Sequence, residues 1–312
     1  WRINLGPNIR SGAHDTQFMV YDYDCDGKAE VAMRTADGTV AGDGTVIGDK
    51  DKNYAVLDNG KNLSGPLYLT VFKGADGTVI DTTEYYPQTQ GVTDDGYEWD
   101  VITWGDWHED PRQEWGNRCE RYLACVAYLD GEHASACFGR GYYTRSVVAA
   151  WDVKNGKLSK RWTYDTGYTA STPGYGDGNH HILGADVDGD GKQEVVVGSA
   201  VVDDNGKLLY TTGLAHGDAI HIGDFVPSNP GLEIFQCLED GTHPNGTVIN
   251  CGVILRDAAT GKVLFREEAF DSNGNPADTG RCIADNLVAG NDGAEMAGSH
   301  NAILYDCTRS EE

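Results

Sequence analysis

The chain has 312 residues, 39% of them hydrophobic and 10% aromatic, enough to bury a sizeable core and to argue against disorder. Its 49 acidic and 24 basic residues leave a formal net charge of −25, a balance that repels nucleic acid and anionic membrane surfaces. No run approaches the roughly 18 to 20 apolar residues that span a bilayer, and the segment after Trp1 lacks the pattern of a signal peptide, so a soluble chain is expected.

In chain order, QFMVYDYD, EVAMRT, LYLTVF, SVVAAWDV, EVVVGSAVV, EIFQCL and VILRDA read as strands bounded by Gly, Asp and Asn. Long periodic helical stretches are absent, and 41 glycines suit many short strands joined by tight turns. The expected class is all-β. Two patterns alternate along it. Asp22-x-Asp24-x-Asp26-Gly27-x-x-Glu30 returns as Asp186-x-Asp188-x-Asp190-Gly191-x-x-Glu194, each leading into an apolar strand, with looser versions from Asp224 to Glu233 and from Asp285 to Glu295. Hairpins follow over 69–85, 147–165, 200–213 and 253–269. An acidic loop plus a hairpin makes a four-stranded unit, and about five such units fit, which is the signature of a β-propeller; a β-sandwich is the plainer alternative. WRINLG at the start reads as the last strand of a hairpin, and HNAILYDCTRSEE at the end stops where a return strand is due. Residues 1–312 are therefore expected to form one β-propeller domain, either a closed five-bladed ring or a fragment of a larger one.

Carboxylates two residues apart around a Gly turn put hard oxygens on one side of a loop, which suits Ca²⁺ and its six to eight oxygen ligands. In an EF-hand the closing Glu stands at loop position 12 between helices; here it stands ninth and a strand follows. The expected ligands of several structural calcium ions are Asp22, Asp24, Asp26 and Glu30, and Asp186, Asp188, Asp190 and Glu194. Solvated turns are the alternative. His180 and His181 follow GDGN, and His216, Asp218 and His221 form the run HGDAIH, a pattern open to a mixed imidazole and carboxylate metal site or to packed core histidines. HExxH and zinc-type CxxC are absent, as are the GxSxG elbow and the GxxxxGK[ST] loop. Eight cysteines allow on the order of 100 pairings; Cys237 and Cys251 flank one connection and could pair, with buried reduced thiols the equal alternative.

Across NIRSGAHDTQFMVYDYDCDGKAEVAMRTADGT (8–39), SGPLYLTVFKGADG (64–77), WGNRCERYLACVAYLDG (115–131), RGYYTRSVVAAWDVKNGKLSKRW (140–162), GNHHILGADVDGDGKQEVVVGSAVVDDNGKLLYTTGLAHGDAIH (178–221) and DTGRCIADN (278–286), the chain resembles the catalytic domain of the rhamnogalacturonan lyases of polysaccharide lyase family 11. The resemblance implies an extracellular bacterial enzyme with calcium ions and an eight-bladed propeller, of which about five blades would be present. The implied activity is cleavage of the rhamnose–galacturonate bond of the pectic polysaccharide rhamnogalacturonan I by β-elimination. Residue by residue, the resemblance assigns His180, His216, Asp218 and Glu239 to a calcium ion in the central cleft and Arg281 to the galacturonate carboxylate. It assigns no general base. The chain departs from the family pattern in a longer connection over 104–118, in Cys25 where Gly is common, and in the loop from Asp285, which lacks the second and third aspartates. Relative to the family, segments that supply other sugar-binding residues and a cleft lysine are missing before Trp1 and after Glu312. The expected chemistry is consistent: a cation on the uronate carboxylate stabilises the charge that develops when the neighbouring proton is removed. The alternative is a non-catalytic calcium-binding propeller for carbohydrate or protein binding. In either case much of the −25 charge is expected to be a count of calcium ligands.

Overall fold

A computed structural model describes residues 1–55, 61–89, 91–92, 98–99, 104, 116–239, 241–300 and 303–307. Most of the long connection, residues 105–115, lies outside the described residues. The described chain is all-β, without an α-helix, and divides into two compact units: Trp1–Gly141 with Val147–Tyr168, and Tyr142–Ser146 with Thr169–Glu312.

In the first unit, β1 (Phe18–Tyr21), β2 (Glu30–Ala36), β5 (Leu67–Lys73) and β6 (Val79–Glu84) form an antiparallel sheet in that order. The short pairs β3 (Thr39–Val40) with β4 (Val46–Ile47) and β7 (Gly91–Val92) with β8 (Glu98–Trp99) stand outside it. A second four-stranded sheet runs β12 (Lys157–Asp165), β11 (Val147–Lys154), β10 (Ser135–Arg140), β9 (Tyr122–Ala127). The second unit holds β13 (Gly178–Ala185), β14 (Glu194–Gly198), β15 (Ala200–Val202) and β16 (Leu208–Thr211); then β17 (Ile220–Gly223), β18 (Glu233–Leu238), β19 (Cys251–Asp257) and β20 (Val263–Ala269). Its last sheet has three strands, β21 (Cys282–Asp285), β22 (Glu295–Gly298) and β23 (Leu304–Asp306). Each of the five larger sheets pairs its strands in chain order, with β3 and β4 intervening between the paired β2 and β5 of the first.

The middle strands explain why the sequence shows continuous apolar runs and little alternation. Every residue of β2, β10, β14 and β18 is buried, as expected of strands covered on both faces. The hairpins at 69–85, 147–165, 200–213 and 253–269 all form. Two readings change. EVVVGSAVV is not one strand: Val195 pairs with Val202 and Val196 with Val201, so the run folds back at Gly198–Ser199. Gly198 has φ +124°, and a Cβ there would stand 2.6 Å from the Asp177 carbonyl oxygen, a conformation open to Gly and closed to other residues. WRINLG is not a strand either; it makes a single bridge, Asn4 to Val40, before the left-handed Gly6 turns the chain.

All eight cysteines are free thiols, and Cys237 is not joined to Cys251. Cys237 faces Val253 across the ladder, which leaves Cys251 on the diagonal at roughly 7–8 Å, beyond the Cα span of a disulfide. Its Sγ donates instead to the Glu239 carbonyl at 2.9 Å.

The core of the first unit centres on Tyr85, Tyr122, Phe138 and Trp151, all at most 1% exposed. Tyr85 meets Tyr122 and Phe138 edge-on at 5.9 and 6.3 Å and donates to the Gly139 carbonyl at 2.9 Å, so its buried hydroxyl is satisfied. Replacing Trp151 by Ala removes the largest ring of this cluster. The expected cost is about 3–5 kcal/mol, read as a lower urea midpoint with an unchanged slope.

Candidate metal centre

In the second unit β13 lies beside β17 and β17 beside β21, so the first strands of three successive sheets run together. His180 is on β13, His216 and Asp218 immediately precede β17, Glu239 immediately follows β18, and Arg281 immediately precedes β21. Backbone bonds tie these segments: the His180 N–H donates to Gly217 O at 3.3 Å, the Gly217 N–H to Gly178 O at 3.4 Å, and the Glu239 N–H to His216 O at 3.1 Å. Close approach requires small residues here. A Cβ on Gly217 would collide with the Cys237 carbonyl, and one on Gly178 would stand 2.5 Å from the Tyr142 side chain.

The result is a four-donor group. His216 Nε2 lies 3.5 Å from Asp218 Oδ1 and 3.2 Å from Glu239 Oε2, and His180 Nε2 lies 3.4 Å from Asp218 Oδ1. One nitrogen or oxygen from each of the four residues falls within 4.8 Å of the others. His216 is fully buried and its Nδ1 is 2.9 Å from Gly178 O, a bond that places the proton on Nδ1 and presents the Nε2 lone pair to the group. Asp218 Oδ1 and Glu239 Oε2 are buried without a hydrogen-bond donor, a costly arrangement for carboxylates unless a cation meets them. Burial acts to raise the Asp218 carboxyl, but the facing His216 and His180 and the Arg281 guanidinium outweigh it and hold it well below the usual carboxylate range. Two imidazole nitrogens and two carboxylate oxygens thus make a group that could hold a divalent cation.

Tyr142 and Tyr143 complete the wall, and the motifs did not single them out, although both lie in the block RGYYTR. The Tyr142 ring stacks on His216 at 5.2 Å and an interplanar angle of 12°, and the Tyr143 hydroxyl is 3.2 Å from His180 Nε2. Behind the group, Asp177 accepts the Ala215 N–H at 3.0 Å and faces His243 Nε2 at 3.5 Å, so the segment carrying His216 is held from its far side. Hydrogen bonding to Asp177 raises the His243 pKa. His181 and His221 are outside the four-donor group; His221 Nε2 is 2.9 Å from the Cys282 carbonyl oxygen. Arg281 Nη1 donates to Asp218 Oδ2, and the side chain is 68% exposed. Its guanidinium is therefore both anchored at the group and open to a ligand.

The two matched acidic loops also bring carboxylates together: Asp22, Asp24 and Glu30 in one, Asp186, Asp188 and Glu194 in the other. Either group could hold a metal ion. Asp26 and Asp190 stand outside these groups, and their Oδ1 atoms accept the N–H of Lys28 and Lys192 at 2.8 Å. The closing glutamate is buried in both copies, and its Oε2 accepts the N–H of the residue after the first aspartate, Tyr23 at 2.9 Å or Val187 at 2.8 Å. Burial first, and then the charges of Asp188, Asp186 and Asp190, push the Glu194 carboxyl up to about 7, and burial likewise raises Glu30. Crowded, buried carboxylates of this kind are relieved by a bound cation.

The fold and the group define a class: an all-β protein of short meander sheets with acidic loops and an imidazole–carboxylate centre beside an exposed arginine. The chain belongs to rhamnogalacturonan lyase family 11, whose C-terminal domain description matches residues 1–311. It is 51% identical over 265 residues to the rhamnogalacturonan exolyase YesX and 49% identical over 265 residues to the rhamnogalacturonan endolyase YesW, both of Bacillus subtilis strain 168. Each alignment covers 85% of this chain and 40% or 39% of the relative, so the chain spans about two fifths of the length of these curated relatives. The crystal structure of rhamnogalacturonan lyase YesW superposes with a TM-score of 0.84 at 46% identity, covering 98% of this chain and 47% of that one.

Gly217→Ala is expected to force the His216–Asp218 segment away from β18. The loss is about 1–3 kcal/mol, measured as a lower melting temperature.

Proposed function

We propose that this chain is the greater part of the catalytic propeller of a rhamnogalacturonan lyase, acting outside a bacterial cell on the rhamnose–galacturonate bond of rhamnogalacturonan I. The observation that carries the reading is the convergence of His180, His216, Asp218 and Glu239 with Arg281. A calcium-binding scaffold without catalysis would not need these five residues to meet, which favours the lyase over a binding propeller. The meander sheets, four of which carry an acidic loop between their first two strands, support a propeller of which about five blades lie in this chain, forming one domain with the rest of the protein.

His180, His216, Asp218 and Glu239 would hold the cleft calcium, with structural calcium at the loops of Asp22, Asp24 and Glu30 and of Asp186, Asp188 and Glu194. Bound in the cleft, calcium supplies positive charge to the uronate carboxylate. Arg281 binds the same carboxylate and turns it so that the adjacent ring proton faces the cleft. A base takes that proton, charge builds on the carboxylate, the C5–H electron pair becomes the C4–C5 double bond, and the C4–O bond breaks so that the glycosidic oxygen leaves and takes up a proton. Tyr142 and Tyr143 hold the two imidazoles in place while this charge develops. The exolyase and the endolyase are almost equally similar to this chain, so overall similarity favours neither mode of attack.

The test is incubation of the full-length parent protein with rhamnogalacturonan I and calcium. Ultraviolet absorbance of the unsaturated uronate is expected to rise, and EGTA is expected to abolish the rise and lower the melting temperature. A flat trace in calcium refutes the lyase reading, and an unchanged melt refutes the structural calcium. Arg281→Ala in the same protein is expected to lower kcat/KM by about 10²–10³. Its melting temperature should be nearly unchanged, since the side chain is 68% exposed.

A further inference from the structure

The four acidic loops place the same buried glutamate at the start of a middle strand, and the residue facing it across the ladder differs in an informative way. Glu30 faces Lys73, Glu233 faces Asp257, and Glu295 faces Asp306. In the second loop Val195 pairs with Val202, so the next rung sets Glu194 against Asp203. Three of the four loops thus oppose two acids, and two of those supply a donor of their own. Asn229 Nδ2 reaches Glu233 Oε1 at 2.7 Å and Asp257 Oδ2 at 3.2 Å. Asn291 Nδ2 reaches Glu295 Oε1 at 2.9 Å.

In the second loop no amide among the described residues reaches the glutamate, although Asn205 Nδ2 donates to Asp203 Oδ2 and the Asp204 N–H to Asp203 Oδ1 at 2.8 Å. Glu194 is fully buried, its Oε2 is taken by the Val187 N–H, and its Oε1 has no hydrogen-bond partner. Oxygens of Glu194, Asp203 and Asp204 lie within 4.8 Å of one another, as do oxygens of Glu194, Asp186 and Asp188. Glu194 is the residue common to the two groups. The hairpin turn that presents Asp203 and Asp204 is braced by the Asp203 N–H donating to Lys207 O at 2.8 Å.

We propose that Asp203 and Asp204 complete a divalent-cation site on Glu194, joining the acidic loop to the β15–β16 hairpin, and that Asn229 and Asn291 fill the corresponding position in the third and fourth loops with an amide. The proposal rests on the cation reading of the Asp186–Glu194 loop and is independent of the lyase reading. It makes the two matched loops unequal: the second has two further carboxylates for the ion, whereas the first has Lys73. Cation affinity rises with ligand charge, so the second loop is the tighter site. The rival occupant is Lys192, whose Nζ lies 3.0 Å from Asp204 Oδ2 and 3.3 Å from Asp190 Oδ2; as sole counter-charge it would leave Glu194 Oε1 unmet.

The experiment is calorimetric titration of the EGTA-stripped chain with calcium chloride. It compares the parent with D203N/D204N, with the loop variant D188N, and with D76N in the matching hairpin of the first unit. The double variant is expected to weaken by about tenfold or more the same tight binding class that D188N weakens, with D76N like the parent. A double-variant isotherm identical to the parent's overturns the proposal, because Lys192 then suffices; if D188N still weakens binding, the loop reading survives that failure. If the double variant does not fold, D204N alone is read by the same criterion.

Discussion

A buried glutamate that accepts backbone N–H groups from the loop before it is the contact on which the rest of this architecture depends. Glu30 and Glu194 each take one N–H, from Tyr23 and Val187, and Glu233 and Glu295 each take two, from Phe225 and Val226 and from Leu287 and Val288. A carboxylate at the start of a buried strand is tolerable only when its oxygens are satisfied. Each clamp therefore fixes where the first strand ends and how the loop crosses to the second, giving every sheet so built the same entry. What meets the remaining oxygen is free to vary, and this allows one scaffold motif to serve as an amide-closed turn in one place and as a candidate cation site in another.

The candidate centre exploits the opposite ends of the same first strands. Because β13, β17 and β21 run side by side, the residues at their entrances meet although 101 positions separate His180 from Arg281. None of the pairwise contacts is strong by itself. Their order comes from the backbone: Gly178 and Gly217 allow the close approach, and the bond between His216 Nδ1 and Gly178 O orients the ring. Arg281 is mostly exposed and held through Asp218, so a change of its partner would break no buried bond of the scaffold.

The repeat of Asp-x-Asp-x-Asp-Gly-x-x-Glu was legible because chelating loops need fixed spacing, and the hairpins because Gly-containing turns between apolar runs have few other uses. EVVVGSAVV was misread as one strand because both halves are buried on both faces and show no alternation to mark the fold-back. Asp26 and Asp190 share the spacing of the other candidate ligands, and spacing does not show that they stand apart from the carboxylates gathered at Glu30 and Glu194. The convergence of His180, His216, Asp218, Glu239 and Arg281 lay beyond periodicity altogether, and only the family resemblance pointed to it. The amides of Asn229, which bridges Glu233 and Asp257, and of Asn291, which meets Glu295, were invisible for a similar reason: an Asn in a loop is commonplace until the carboxylate it meets is seen on the next strand.

The acidity takes a different meaning in this light. Ten of the 49 acidic residues fall in the groups of described residues that could hold a metal ion. Others accept nearby turn N–H groups, as Asp43, Asp76 and Asp271 do for Thr45, Thr78 and Asn273, and these bonds hold their carboxyls below the ordinary range. Such aspartates are the consequence of a fold made of many short strands, each needing a tight turn that a side-chain oxygen can close. The exposed acids remain charged whether or not metal is bound. On the proposed lyase reading, contact with an acidic polysaccharide would be a local matter of Arg281 and the candidate cation group, set within a surface whose charge repels the polymer elsewhere.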